Sequence, residues 1–260
     1  MTVVLVGVGA DSEHLRPKLE LTEDGYFDYI PIPESYPTIE TLTYGTLNLD
    51  HRGGTAADYV SAISPRGEDS DWIDDPHEIK SHPVHHDPNF EAMTFGDRRG
   101  GGGKGSTLID HFGSSDRTDV LGFYTGVKEN ATDSNLNRFL YGYMTVEAVH
   151  DLSKLNGDEY HEALREFPEN AHTKRLEAAG TPKHDDVVIV NGTSPSAKLK
   201  QPVKISERID KAPWYRVTEE FADAYNVEGG QKGIGRKFPL VLDLDGEEFI
   251  EKVESVSERM

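Results

Sequence analysis

The chain has 260 residues, 35% of them hydrophobic and 9% aromatic, enough to bury a core of its own and too aromatic for wholesale disorder. Asp and Glu number 47 against 27 Lys and Arg, a formal net charge of -20, which repels nucleic acid and anionic membranes in dilute buffer. The absence of Cys excludes thiol catalysis, Cys-ligated zinc, iron–sulfur clusters and any disulfide framework.

The acidic residues are spread from Asp11 to Glu258 rather than gathered in a tail, the pattern expected of a protein kept soluble in a halophilic cytoplasm. At molar salt the Debye length falls to about 3 Å, so this charge does not forbid a phosphate-bearing partner there. The apolar run Val3 to Val8 is too short for a signal segment or a membrane span and lacks a basic flank, so a soluble cytoplasmic chain without a membrane partner is expected.

In chain order, Val3 to Val6 predicts a buried strand that enters a turn at Gly7-Val8-Gly9. Gly7 to Ser12 is superficially like a dinucleotide fingerprint, but Ser12 replaces the third glycine and no amphipathic helix follows before Pro17, so a tight turn is the reading. Tyr26 to Pro33 is expected to be extended and to end at a sheet edge. Thr55 to Ile63 reads as a short helix, Ser64 to Asp75 as a flexible polar loop, and His77 to Gly105 as loop, with flexibility centred near 96–106. A helix is expected from Ser106 to Phe112. Val120 to Val127 and Phe139 to Val149 carry the aromatic and β-branched enrichment of a long-looped hairpin. Glu159 to Phe167, His172 to Ala179 and Trp214 to Tyr225 read as helices and Val187 to Val190 as a strand. Gly229 to Gly235 is a second glycine-rich loop, the final strands are short, and Ser255 to Met260 is expected to fray. The whole, 1–260, is read as one mixed α+β domain with a β-sheet or barrel-like core and helical insertions.

Three segments can carry chemistry. His77, His82, His85 and His86 precede Asp87; imidazoles and a carboxylate can ligate zinc, iron or manganese, and an extended chain places alternate side chains on one face. Their spacing matches no specific metal motif, so no metal site is assigned; His86 beside Asp87 can instead act as acid, base or hydrogen-bond donor. Arg98, Arg99 and Lys104 flank the run from Gly100 to Gly105, where backbone N–H groups can cradle phosphate, although Gly105 between Lys104 and Ser106 breaks a Walker pattern. Asn170 is placed to cap a helix that presents His172 and Arg175 three residues apart on one face.

Taken in order, Gly7 to Ser12, Phe27 to Glu34, His86 to Phe90, Val120 to Gly126 with Tyr141-Gly142-Tyr143, and Asn170 to His172 with Arg175 resemble the third nucleotide-modification-associated domain family, found among predicted DNA-modification and conflict genes of prokaryotes and their viruses. The strands bearing Phe123-Tyr124 and Tyr141-Gly142-Tyr143 are also similar to base-binding barrels of the pseudouridine-synthase-associated type. The resemblance implies binding or processing of modified nucleotides or nucleic acid. Asp11, Asn170 and Arg175 would make polar contacts, and Tyr124, Tyr141 or Tyr143 would offer stacking worth about 1 to 3 kcal/mol per base. Arg98, Arg99 and Lys104 would bind phosphate. The alternative is an enzyme acting on a nucleotide or nucleobase with His86 and His172 as acid and base and Asp87 orienting one of them; a structural protein without a ligand is the third reading. No cofactor, reaction or oligomeric state follows from the sequence.

Because the net charge of -20 is self-repelling when unscreened, the melting temperature followed by far-UV circular dichroism is expected to rise from about 0.1 to about 3 M KCl, where screening is nearly complete. A flat or falling melting temperature overturns the halophilic reading.

Overall fold

In the computed structural model, which describes residues 2–8, 14–66, 71–100, 104–112, 118–133, 135–179, 186–210, 215–227, 233–234 and 239–259, the apolar run Val3–Gly7 forms strand β1, buried along its whole length. Val3 and Leu5 face one core, with Leu140 and Tyr143, while Val4 and Val6 face another, with Phe123 and Tyr141. Side chains of a strand alternate between faces, so a continuous apolar run belongs to a strand covered on both sides.

After β1 come β2 (Leu15–Arg16), α1 (Ala56–Tyr59), β3 (Ala62–Ile63), α2 (Pro76–Ser81), β4 (Thr94–Arg98) and α3 (Gly105–His111). The hairpin strands β5 (Asp119–Val127) and β6 (Asn137–Asp151) are followed by α4 (Gly157–Glu166), α5 (Ala171–Ala179) and the bulged strand β7 (Val187–Arg208). β8 (Tyr215–Val217), α6 (Glu219–Ala224), β9 (Leu240–Leu242) and α7 (Gly246–Arg259) complete the chain. The main sheet has seven strands in the order β4-β7-β6-β5-β1-β9, with β8 attached to β7, and β2 and β3 pair separately. β1 runs parallel to β5 and the other pairs are antiparallel. Among the described residues β4 and β9 do not meet, so the α+β core is an open sheet, the first of the two expected forms, rather than a barrel.

One face of this sheet is covered by chain with little regular structure, through Leu19, Phe27, Ile30, Tyr44 and Leu49. The other is covered by α6 and α7, which bury Phe221, Phe249, Ile250 and Val253. α4 closes a third cluster, with Tyr160, Leu164 and Phe167 against Val187 and Ile189.

Several expectations need correction. His77 to Gly105 is not loop throughout: Pro76 opens α2 and the Asp75 carboxylate accepts the His77 N–H at 2.8 Å, a proline-led, capped helix start. Thr94–Arg98 becomes β4 because it pairs with Val187 to Asn191 of β7. Tyr26 to Pro33 joins no strand of the main sheet; its end makes an isolated bridge from Pro33 to Val84. The helix within Thr55 to Ile63 stops at Tyr59, and Ala62–Ile63 pairs with β2. Tyr215–Val217 is a strand on β7, which leaves only Glu219–Ala224 helical, capped by Thr218. Ser255 lies within a 14-residue helix that runs to Arg259, held by the buried stripe Phe249, Ile250 and Val253. Asp11, Gly101 to Gly103 and Trp214 lie outside the described residues.

Phe249, with no exposed surface, joins α7 to the sheet. Its replacement by Ala is expected to cost about 3 to 5 kcal/mol in chemical denaturation; a loss below about 1 kcal/mol would show that α7 is dispensable to the core.

Candidate functional site

The site is assembled around β4 and the first turn of α5. Asn170, fully buried, accepts the His172 N–H on Oδ1 at 3.0 Å and reaches Thr94 Oγ1 of β4 with its amide at 3.4 Å. This is a helix cap that also ties α5 to the sheet. The His172 ring then crosses β4 at Gly96, where a Cβ would stand 2.4 Å from His172 Cδ2 and 3.1 Å from Asn170 Oδ1. Both distances are shorter than van der Waals contact, so position 96 has to be glycine for His172 to lie there.

Gly96 also donates its N–H to the Asp87 carboxylate, at 3.2 Å to Oδ1 and 3.0 Å to Oδ2. Asp87 Oδ2 lies 3.5 Å from His172 Nε2, and the His172 ring meets that of His85 edge-on with centroids 5.1 Å apart. On its far side His85 Nδ1 is 3.1 Å from Glu34 Oε2. Arg175, one turn along α5, donates Nε–H to both oxygens of Glu34 at 2.8 Å, and the N–H of Tyr36 adds a bond to Oε1 at 3.0 Å. Burial pushes the Glu34 carboxyl up, but the contacts with His85 and Arg175 outweigh it and hold the group down at about 2. Burial, and then the Arg175 charge, push the His85 imidazole below its ordinary value, so the neutral ring is favoured at neutral pH.

His85, Asp87 and His172 each offer a ligand atom, all within 4.8 Å of one another. Two imidazoles and a carboxylate suit a divalent first-row transition ion. His85 and Asp87 alternate along an extended stretch and so share a face, and His86 between them faces the other way. It lines a separate cleft of about 300 Å³ with Tyr29, Leu42, Pro88 and Phe90, with Asn48, Asp50 and Lys198 also on its wall. Burial pushes the His86 imidazole below its ordinary value, with opposing pulls from Glu91, Glu40 and Asp87. His172 is not part of this lining. Tyr29 stacks on Tyr141 with centroids 4.6 Å apart, and Phe90 seats against Gly142, where a Cβ would be 2.5 Å from its Cζ. The Tyr29 hydroxyl donates to the Asp87 carbonyl at 3.1 Å, so one residue serves the cleft with its backbone and the histidine cluster with its side chain.

The structure thus brings together Asp87, Asn170, His172 and Arg175, and leaves His86 on the cleft. Tyr124 and Tyr143 lie in the core under α6 and α7, and Tyr141 lies behind Tyr29; all three are 2% exposed or less, so none presents a face for stacking. Tyr143 instead hydrogen-bonds Glu254 of α7. Arg98, Arg99 and Lys104 pair with Asp186, Asp151 and Asp97 at 3.2, 2.9 and 2.8 Å, away from the residues that line the cleft. Glu34, Tyr29 and Phe90 fall within the segments that carry the family resemblance but were given no role of their own there, although the alternation of His85 with Asp87 was a readable signal.

Fold and site together describe an α+β protein with a buried His–Asp–His cluster next to an aromatic cleft. Residues 2–249 match the family described as nucleotide modification associated domain 3, and the chain belongs to that family. No curated protein and no solved structure matches the chain.

Gly96→Ala is expected to drive His172 off Asp87 and to destabilise the fold by about 1 to 3 kcal/mol, the cost of overpacking. Urea denaturation together with the His172 ring resonances checks this; unchanged stability and unchanged ring shifts would refute the close approach.

Proposed function

We propose that the chain binds or processes modified nucleotides or nucleic acid, in a DNA-modification or conflict setting, and that it takes the base in the cleft between Tyr29, His86 and Phe90. The family's description connects the chain with nucleotide modification. The observation that carries the finer reading is the chemistry of the cleft wall: aromatic and apolar groups at Tyr29, Leu42, Pro88 and Phe90 share the lining with polar groups at Asn48 and Lys198 and the carboxylates Asp50 and Glu91. Aromatic faces stack any base, and a few polar groups set its orientation. At about 300 Å³ the space is at the small end of ligand sites, which favours a single base or nucleoside over a duplex.

Lys198 is half exposed and its ion pair with Asp50, at 3.3 Å, is exposed on both sides. Such pairs are weak, so the ammonium is available to a phosphate leaving the cleft. In concentrated salt the surplus negative charge is screened within about 3 Å, which lets an anionic ligand approach.

The test is calorimetric titration with nucleosides, nucleotides and single-stranded oligonucleotides. His86→Ala is expected to weaken nucleoside binding about fivefold, the loss of one hydrogen bond of about 1 kcal/mol. Lys198→Gln should spare nucleosides, weaken nucleotides, and lower the salt slope for single strands by about 0.7. Binding unchanged in both variants, or no binding by the wild type, overturns the assignment.

A further inference from the structure

We infer that His85, Asp87 and His172 form a binding site for one divalent first-row transition-metal ion. The inference stands on the cluster alone and not on the nucleotide reading. Its first support is a buried carboxylate with few hydrogen-bond partners. The Asp87 side chain is 3% exposed, and the hydrogen bonds it receives come from a single backbone donor, the Gly96 N–H. A buried carboxylate has room for about four such contacts, and buried charges are as a rule paired or bound to metal. The nearest side-chain partner is His172 Nε2 at 3.5 Å, too far for a good hydrogen bond. The His172 ring itself makes no hydrogen bond among the described residues and is only 12% exposed. A carboxylate and an imidazole thus face each other across a gap that neither fills.

The second support is the way the other imidazole is held. Glu34 fixes His85 through Nδ1 at 3.1 Å, which leaves Nε2 as the free nitrogen, and Arg175 in turn fixes Glu34 with two contacts at 2.8 Å. A carboxylate on the outer nitrogen of a histidine is the arrangement that orients metal-bound imidazoles and raises their basicity. His172 is fixed by other means, through the Asn170 cap and the bare Cα of Gly96. Both imidazoles are therefore positioned by groups that do not themselves ligate.

The donor set narrows the ion. Two nitrogens disfavour calcium and magnesium, which take oxygen shells, and a chain without Cys offers no thiolate for the softest ions. Two imidazoles and one carboxylate suit Fe²⁺, Mn²⁺, Co²⁺ or Zn²⁺ with coordination positions left open to water or substrate. Ligands about 2.1 Å from one ion lie at most about 4.2 Å apart. The donor atoms lie within 4.8 Å of one another, about 0.6 Å beyond that limit.

Chelator-treated full-length chain titrated with Mn²⁺, Co²⁺ and Zn²⁺ in a calorimeter tests the site. One equivalent should bind and raise the melting temperature. His85→Gln and His172→Gln should each lower affinity at least 100-fold, Glu34→Gln should lower it about 10- to 100-fold as a supporting carboxylate, and a change at the exposed His77, His77→Gln, should bind as the wild type does. No binding by the wild type, retention of binding in both ligand variants, or an equal loss in His77→Gln overturns the site. Should the ligand variants not fold, Mn²⁺ added to the wild type should broaden the ring signals of His85 and His172 first. Even broadening across the 11 histidines overturns the proposal.

Discussion

Two carboxylates taken out of water, Glu34 and Asp87, organise everything around them. Their side chains are 2% and 3% exposed, and an ionised group in such a place costs several kcal/mol unless partners replace the lost water. Glu34 receives Arg175, His85 and backbone N–H groups of its own turn. These partners come from three separate stretches of chain, so the carboxylate works as a knot. The segment that contains Glu34 joins no strand of the main sheet, and Asp28 earlier in it does the same work, accepting the His51 and Arg52 N–H groups at 2.9 and 3.1 Å. Where the backbone lacks a ladder, buried carboxylates take up its donors.

Asp87 divides two environments with a single residue. Its side chain turns to Gly96 and the histidine cluster, and its carbonyl accepts the hydroxyl of Tyr29 on the wall of the cleft. Tyr29 is backed by Tyr141, and burial pushes the pKa of both hydroxyls far above the ordinary tyrosine value, the neighbouring Asp87 charge adding to the effect. Both therefore remain neutral, and the Tyr29 hydroxyl donates to the Asp87 carbonyl. A ligand that displaced Tyr29 would withdraw its hydrogen bond from the Asp87 peptide, which is a direct physical route from cleft to cluster.

How much of this was legible depends on whether a segment is stabilised by its own pattern or by a distant partner. β1, β5, β6 and the start of β7 are apolar runs that declare themselves, and α3 and α5 begin close to where sequence places them. β4 does not: Gly96, Asp97 and Arg98 read as loop, and only pairing with Val187 to Ile189 makes them a strand. α7 was different, since Asp245 capping Glu247 at 2.8 Å and the apolar spacing of Phe249, Ile250 and Val253 were present in the sequence as helix signals. In the site, Asp87, Asn170, His172 and Arg175 stood out by residue type, whereas Glu34 did not, because a lone acidic residue in so acidic a chain carries no signal. The cations at 98, 99 and 104 stood out for the converse reason. Their counter-charges include Asp186 and Asp151, far away in sequence and near only in the fold.

The same distinction between buried and exposed pairs governs how salt acts on the molecule. Lys198 with Asp50 and Lys204 with Glu129 are exposed pairs, which ions in solution weaken. Arg175 with Glu34 is 18% and 2% exposed, and ions do not readily enter between such groups. Raising salt therefore relieves the repulsion among surplus surface carboxylates and loosens the exposed pairs while leaving the Glu34 knot in place. The geometry around His85 and Glu34 is then set by contacts that salt does not reach, while the long-range field of the surface is set by charges that it does.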